Sequence, residues 1–272
     1  MLLHFFQFLD LDNRKYAVKV GDSEYDVHNG FRNYLKGKTD TETEGGPLVS
    51  KFKIISDQLD SIMERDCEGF DIYVTGHSLG GALAVYFGFK LAETDKYPVV
   101  NVISYASPYV GTDSFRDAFR TLERKNKLRH IRVSNENDAI PANPCIGGFK
   151  HAGVNLQLRK NGPARINYEG IEKEGLPISF LLFVPAAASV LIKVLSIFLG
   201  FLSFLPTFPL LPSALVAYAT SKILLDSHSA KEYRERFGNK FRSSDDFYYQ
   251  TIEELYEDRL EVLEVIKIED TA

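Results

Sequence analysis

The amino-acid sequence predicts an α/β fold on a central, mostly parallel sheet, and three observations carry that prediction. Short apolar runs of strand length alternate with helical runs of about 10–15 residues, the pattern of strands joined by crossover helices. Each of the first three strand runs is followed by a turn-forming cluster, GHSLGG, SPYVG and NDAIP in turn. With 272 residues, 44% hydrophobic and 25% charged, the chain can bury the core of one large domain.

The elements follow in order. Between Ser50 and Asp66, apolar residues at Phe52, Ile55, Leu59, Ile62 and Met63 recur at helical spacing, and Ser50 is placed to cap the start. DIYVTG (71–76) reads as a short buried strand and LGGALAVYFGFKLAE (79–93) as a helix. VVNVISYAS (99–107) reads as a strand, DSFRDAFRTLER (113–124) as a helix and LRHIRVSNEN (128–137) as a further strand. Ligands on such sheets sit beyond the carboxyl ends of the strands, where the three turn clusters converge. The stretch 176–225 is an apolar insertion: residues 178–192 and 194–221 carry no charged side chain, and Lys193 alone interrupts them. Residues 243–266 predict an acidic amphipathic helix on the domain surface, with Tyr248, Ile252, Leu255, Tyr256 and Leu260 on its apolar side. No repeat or linker divides residues 1–272, so a single domain is expected.

Composition also excludes functions. A formal net charge of -5 with scattered Lys and Arg offers no basic field for a phosphate backbone, so nucleic acid is not an expected partner. The two cysteines, Cys67 and Cys145, have no metal-ligand spacing and form one disulfide at most, which fits a reducing compartment. Neither metal nor cofactor is expected. The N-terminus MLLHFFQFLDLDNRK reaches an acidic residue at Asp10 and lacks an early basic cluster, unlike a secretory signal.

The chemistry concentrates in Gly76-His77-Ser78-Leu79-Gly80. A serine at a strand-to-helix turn is lifted clear of the backbone. Gly76 and Gly80 are expected to leave room where a Cβ would collide, and the Leu79 amide points toward any negative charge forming beside the hydroxyl. Gly-x-Ser-x-Gly arises by chance in roughly one chain in ten of this length, but its place between a strand and a helix removes most of that coincidence. A serine hydroxyl needs a base to become a nucleophile. If the partners follow in the order serine, acid, histidine, the best-placed acid is Asp138, just past a strand end; its plainer reading is a turn residue bonding its own backbone. His151 and His228 both remain as the base. His151 follows Asp138 by only 13 residues and can instead brace the loop from below, whereas His228 lies in a loop position that can swing onto Ser78.

These segments resemble the class 3, fungal-type lipases of the α/β-hydrolase fold. The matching motifs are VHNGF (27–31), GHSLGGALA (76–84), YASPYVGTDSFRDAF (105–119), RVSNENDAIPANP (132–144), FKHAGV (149–154) and DSHSAKEY (226–233), in the family's order. The resemblance implies Ser78 as nucleophile, Asp138 as triad acid, His228 as triad base and His151 as a structural histidine. It implies hydrolysis of fatty-acyl esters of acylglycerols or other lipids through an acyl-enzyme; a lipid-associated protein that keeps the hydrolase shell but is catalytically impaired is the alternative. The family also carries a strand ending in a Phe-Arg-Gly-Thr-like motif shortly before the region that here reads HFFQFLDLDN. Its hydroxyl residue supplies half of the oxyanion hole, and without it the N-terminal strands of the sheet are missing; the expectation is that upstream residues complete the protein.

Two readings of the apolar insertion are open. If Asp138 and His228 serve one site, a single membrane crossing is excluded. Pro206, Pro209 and Pro212 fall where a helical hairpin would turn. Such a hairpin either inserts into a membrane or lipid-droplet surface near the mouth of the site, docking on lipid and serving as a lid, or packs as a buried helix pair. The expected location is a membrane or lipid droplet, with an intracellular one favoured.

Overall fold

The structure is a computed structural model. It describes residues 15–20, 23–37, 49–66, 71–144, 147–168 and 226–241, and near the C-terminus 254–257, 259–261 and 263. The apolar insertion lies outside the described residues, as does much of the expected C-terminal helix.

Five strands form the main sheet: β3 (Ile72–His77), β4 (Val100–Tyr105), β6 (Leu128–Asn135), β8 (Val154–Leu158) and β9 (Arg165–Asn167), in the order β3-β4-β6-β8-β9. The first four are mutually parallel and β9 is antiparallel to β8. A smaller antiparallel sheet joins β1 (Lys15–Val20), β2 (Ser23–His28), β5 (Gly111–Thr112) and β7 (Phe149–Lys150). The helices are α1 (Asn29–Lys36), α2 (Lys51–Asp66), α3 (Leu79–Ala92), α4 (Asp113–Arg124) and α5 (Ala230–Phe241). The expected α/β architecture is therefore present, with β3 at one edge of the described order rather than between strands. Tyr73 on that strand is accordingly 52% exposed, which corrects its reading as a buried strand.

Alternation along β4 and β6 divides the core into two layers. Val100, Val102 and Leu128 face α3 and α4, meeting Ala82, Val85, Phe89, Phe115 and Phe119. Ile103, Tyr105, Ile131 and Val133 face α5, meeting Tyr233 and Phe237. Helix α3 is apolar on nearly every side, as a helix enclosed by its neighbours must be, and ten of its fourteen residues are buried. Ser50 caps α2 through a bond from the Lys53 amide at 3.2 Å. Phe52, Leu59 and Met63 of α2 pack on the core, but Ile55 and Ile62 are exposed. Helical spacing placed all five on one stripe, and the stripe proves wider than the surface available to cover it.

The described C-terminal residues are helical, and their inward side is more polar than their pattern suggests. Leu255 and Tyr256 pack against Val154. The Tyr256 hydroxyl donates to the His130 carbonyl at 2.6 Å and accepts from the His130 amide, just before β6 begins to pair with β8 at Ile131. Arg259 reaches the buried Glu123 carboxylate at 3.3 Å. Burial pushes the Glu123 carboxyl up, and the Arg259 guanidinium pulls it back down.

His130 is itself buried, its Nε2 2.9 Å from the Ser104 hydroxyl. Burial, aided by the nearby Arg132 charge, lowers its pKa to about 3. An unfolded imidazole takes up a proton below about pH 6.5, so between the two limits the unfolded chain binds the extra proton and stability is lost as the pH is lowered from about 6.5 toward about 3. His151 is lowered by burial in the same direction. A urea titration at pH 4.5 is expected to show a midpoint well below that at pH 7, with His130 alone costing roughly 3 kcal/mol.

Candidate active site

The carboxyl ends of β3 and β4 are in register, His77 opposite Tyr105, and Tyr105 is paired with Val133 of β6. β3 delivers Ser78 one residue past its end, and β6 runs on to Asn135 before delivering Asp138.

Ser78 has φ 59° and ψ -127°, a conformation that costs a non-glycine residue about 1–3 kcal/mol and survives only where neighbours enforce it. Three backbone bonds do so: the Ser78 amide donates to the Tyr105 carbonyl at 2.9 Å, and the Gly81 and Ala82 amides donate to the Ser78 carbonyl at 2.9 and 3.2 Å. Close packing adds to them. A Cβ at position 76 would stand 2.2 Å from the Gly80 carbonyl oxygen. Gly76→Ala is therefore expected to cost at least about 3 kcal/mol, as severe overpacking does, read as a drop in thermal midpoint or in soluble yield. Gly80 differs from its expected role: a Cβ there would meet nothing within 4 Å. Steric room inside the protein is not what position 80 requires.

Asp138 and His228 meet Ser78 from opposite directions of the chain. His228 lies on a helical turn at 226–228, ahead of α5. Its Nε2 is 2.9 Å from Ser78 Oγ, and its Nδ1 is 3.0 and 3.2 Å from the two Asp138 oxygens. A carboxylate can only accept, so Nδ1 carries the proton; Nε2 of the neutral ring is then the acceptor for the Ser78 hydroxyl. The Asp138 side chain is 0% exposed and has three donors: His228 Nδ1–H, the Tyr233 hydroxyl at 2.7 Å and the Ile140 amide at 3.0 Å. The last is the turn bond that the plainer reading of Asp138 called for, so one carboxylate makes both contacts. The Leu79 amide opens α3 beside Ser78 and has no hydrogen-bond partner among the described residues, where the helix dipole favours negative charge.

His151 is elsewhere. It is buried, stacks on Tyr109 at 4.1 Å and donates from Nε2 to the Pro141 carbonyl at 2.9 Å. That bond braces the loop beyond Asp138. His77, the turn residue before Ser78, donates from Nε2 to the His228 carbonyl at 3.0 Å. Burial, followed by the neighbouring His228, holds His77 below the usual imidazole range.

Sequence reasoning did not single out Tyr233. Its hydroxyl accepts from the Asn135 amide at 2.9 Å while donating to Asp138. Burial and the Asp138 charge push its pKa well above that of a free phenol, so it remains a donor at neutral pH. Its only trace in the sequence is a tyrosine one helical turn or so beyond the candidate base.

A serine on a strand-to-helix turn at the carboxyl end of a parallel sheet, hydrogen-bonded to a histidine and through it to an aspartate, defines an α/β-hydrolase-type fold. The family model described as lipase (class 3) matches residues 6–147, just over half of the chain, and the protein belongs to that family. Among curated relatives, phospholipase A1-II 3 of Oryza sativa subsp. japonica is 29% identical over 144 residues, covering 50% of this chain and 33% of that protein. The chloroplastic phospholipase A1-Igamma1 of Arabidopsis thaliana is 36% identical over 141 residues, 48% of this chain and 26% of that one. The chain thus spans a third or less of the length of these two relatives. Among solved structures, lipase II from Rhizopus niveus aligns with a TM-score of 0.44 at 24% identity, covering 62% of this chain and 59% of that one.

Proposed function

We propose that the protein is a serine carboxylester hydrolase that cleaves fatty-acyl esters of glycerolipids. The observation that carries this reading is the single imidazole of His228, within hydrogen-bond reach of both Ser78 and Asp138. In the first step the Ser78 hydroxyl proton passes to His228 Nε2 as Oγ attacks the ester carbonyl. Asp138 orients the ring and stabilises the imidazolium, while the Leu79 amide donates to the oxyanion. Collapse expels the alcohol with the proton held on Nε2, leaving an acyl-Ser78. Water then loses a proton to Nε2 and releases the fatty acid, which restores the hydroxyl.

The name of the matching family, lipase (class 3), and that of a curated relative, phospholipase A1, support a lipid ester without choosing its head group. The apolar segments at 178–192 and 194–221 support action at a membrane or droplet surface. Among the described residues no helix is long and apolar enough to cross a membrane.

A fluorophosphonate probe tests the reading. Folded protein is expected to be labelled at Ser78, and the labelled protein to have lost release of fatty acid from mixed phospholipid and triacylglycerol emulsions. A well-folded protein that takes no label supports a catalytically impaired lipid-associated protein instead.

A further inference from the structure

The turn that carries His228 is anchored by its backbone as well as by its imidazole. Two consecutive carbonyls of that turn accept from side chains rooted at the ends of two different strands. His77, the last residue of β3, donates from Nε2 to the His228 carbonyl at 3.0 Å. Asn135, the last residue of β6, donates from Nδ2 to the Ser227 carbonyl at 2.8 Å. β3 is the strand that delivers Ser78, and β6 is the strand that delivers Asp138. His77 further stacks its ring on that of His228, centroids 4.8 Å apart and planes inclined by 35°, while the Tyr233 ring meets His77 edge-on at 5.7 Å. Asn135 and His228 are both buried and His77 is partly so.

We propose that His77 and Asn135 form a two-point clamp that sets the position of the His228 imidazole, His77 gauging it against the nucleophile and Asn135 against the acid. Both are positioning residues, since neither touches Ser78 Oγ or an Asp138 oxygen. The inference rests on the hydrolase reading above. The arrangement has a physical rationale: Ser78, Asp138 and His228 are far apart in sequence, and the bridge works only if one ring keeps two bonds of about 3 Å at once. Anchoring the backbone of the base to the strand ends that hold its partners ties all three to one rigid body. Misplacing a catalytic group by about 1 Å can cost a hundredfold, which sets the scale of the expected effect.

The test separates the clamp from bulk at the site. His77→Phe keeps a flat ring against His228 and removes the donor; His77→Gln restores an N–H at similar reach. On a soluble nitrophenyl ester, His77→Phe is expected to lower kcat by on the order of tenfold to a hundredfold with KM nearly unchanged. His77→Gln is expected to recover most of that loss. A readout independent of turnover is the downfield proton resonance of the His228 Nδ1–H held by Asp138: His77→Phe broadens or loses it and His77→Gln keeps it. Full kcat with an unchanged resonance in His77→Phe overturns the proposal, as do equal losses in the Phe and Gln variants. If His77→Phe does not fold, Asn135→Ala takes its place with the same expected loss, and an undiminished kcat there overturns the clamp equally. A wild-type protein that shows the resonance and its dependence on position 77, yet hydrolyses nothing, sinks the hydrolase reading and leaves the clamp standing.

Discussion

Ser78→Ala is expected to reduce kcat on a soluble nitrophenyl ester by on the order of a millionfold, the scale on which a hydrolase loses its nucleophile, and to leave the thermal midpoint almost where it was. The second half of that expectation is what gives the first its force. Among the described residues the Ser78 hydroxyl makes one hydrogen bond, to His228 Nε2, and it does not cap α3. Removing it costs the fold about 1 kcal/mol. The strained backbone at position 78 is held by its own amide and carbonyl and by the close pass of Gly76 against Gly80, none of which involves Oγ. An alanine fits the same conformation as well as a serine does. A purely structural serine would therefore leave activity untouched. More than about one part in a thousand of the wild-type kcat in the purified Ser78→Ala protein would exceed what an oxyanion donor and binding alone sustain, and would place the nucleophile elsewhere.

The parts of this molecule that were legible in its sequence are those whose signal is local. Strand β3, the turn at Ser78 and helix α3 follow one another within residues 72–92, so a single window holds the apolar run, the glycines and the helical stretch. The positions of Asp138 and His228 could be read because each falls just after or before an element that periodicity locates. Contacts made across long separations left no such trace. Tyr233 meets Asp138 over 95 positions, and His77 meets the His228 carbonyl over 151. A tyrosine on a helix or a histidine at a strand end looks the same whether or not a partner waits there. The buried pair of Glu123 and Arg259 was hidden for a related reason. Both sit in stretches rich in charge, where the default expectation is a solvated face, and only the approach of the C-terminal residues to α4 takes them out of water. Gly80 shows the converse error, a residue type that invites a steric explanation where the surrounding space is open.

Asp138→Asn is expected to lower kcat/KM by on the order of ten-thousandfold while preserving the fold. Aspartate at 138 faces three donors, and as an ionised carboxylate it accepts from all of them: His228 Nδ1–H, the Tyr233 hydroxyl and the Ile140 amide. Asparagine is nearly isosteric but offers one acceptor oxygen and one NH2 group. If the oxygen stays on Ile140, the amide nitrogen faces His228 and Tyr233. Tyr233 can rotate its hydroxyl to accept. His228 answers a donor at Nδ1 by moving its proton to Nε2, which then faces Ser78 as a second donor and can no longer take the hydroxyl proton. If the amide flips, its NH2 instead meets the Ile140 amide, and the neutral oxygen has no charge with which to stabilise the imidazolium. The first arrangement removes the base and the second weakens it, neither empties the site, and the loss should therefore appear in kcat with KM little changed. Tyr233→Phe provides the internal comparison. It deletes one of the three donors but leaves the carboxylate charged and the His228 tautomer intact, so its loss should be smaller by orders of magnitude. Equal losses in the two variants would mean that the carboxylate acts by its packing rather than by fixing the proton on Nδ1, and the assignment of Asp138 as the acid would fall with it.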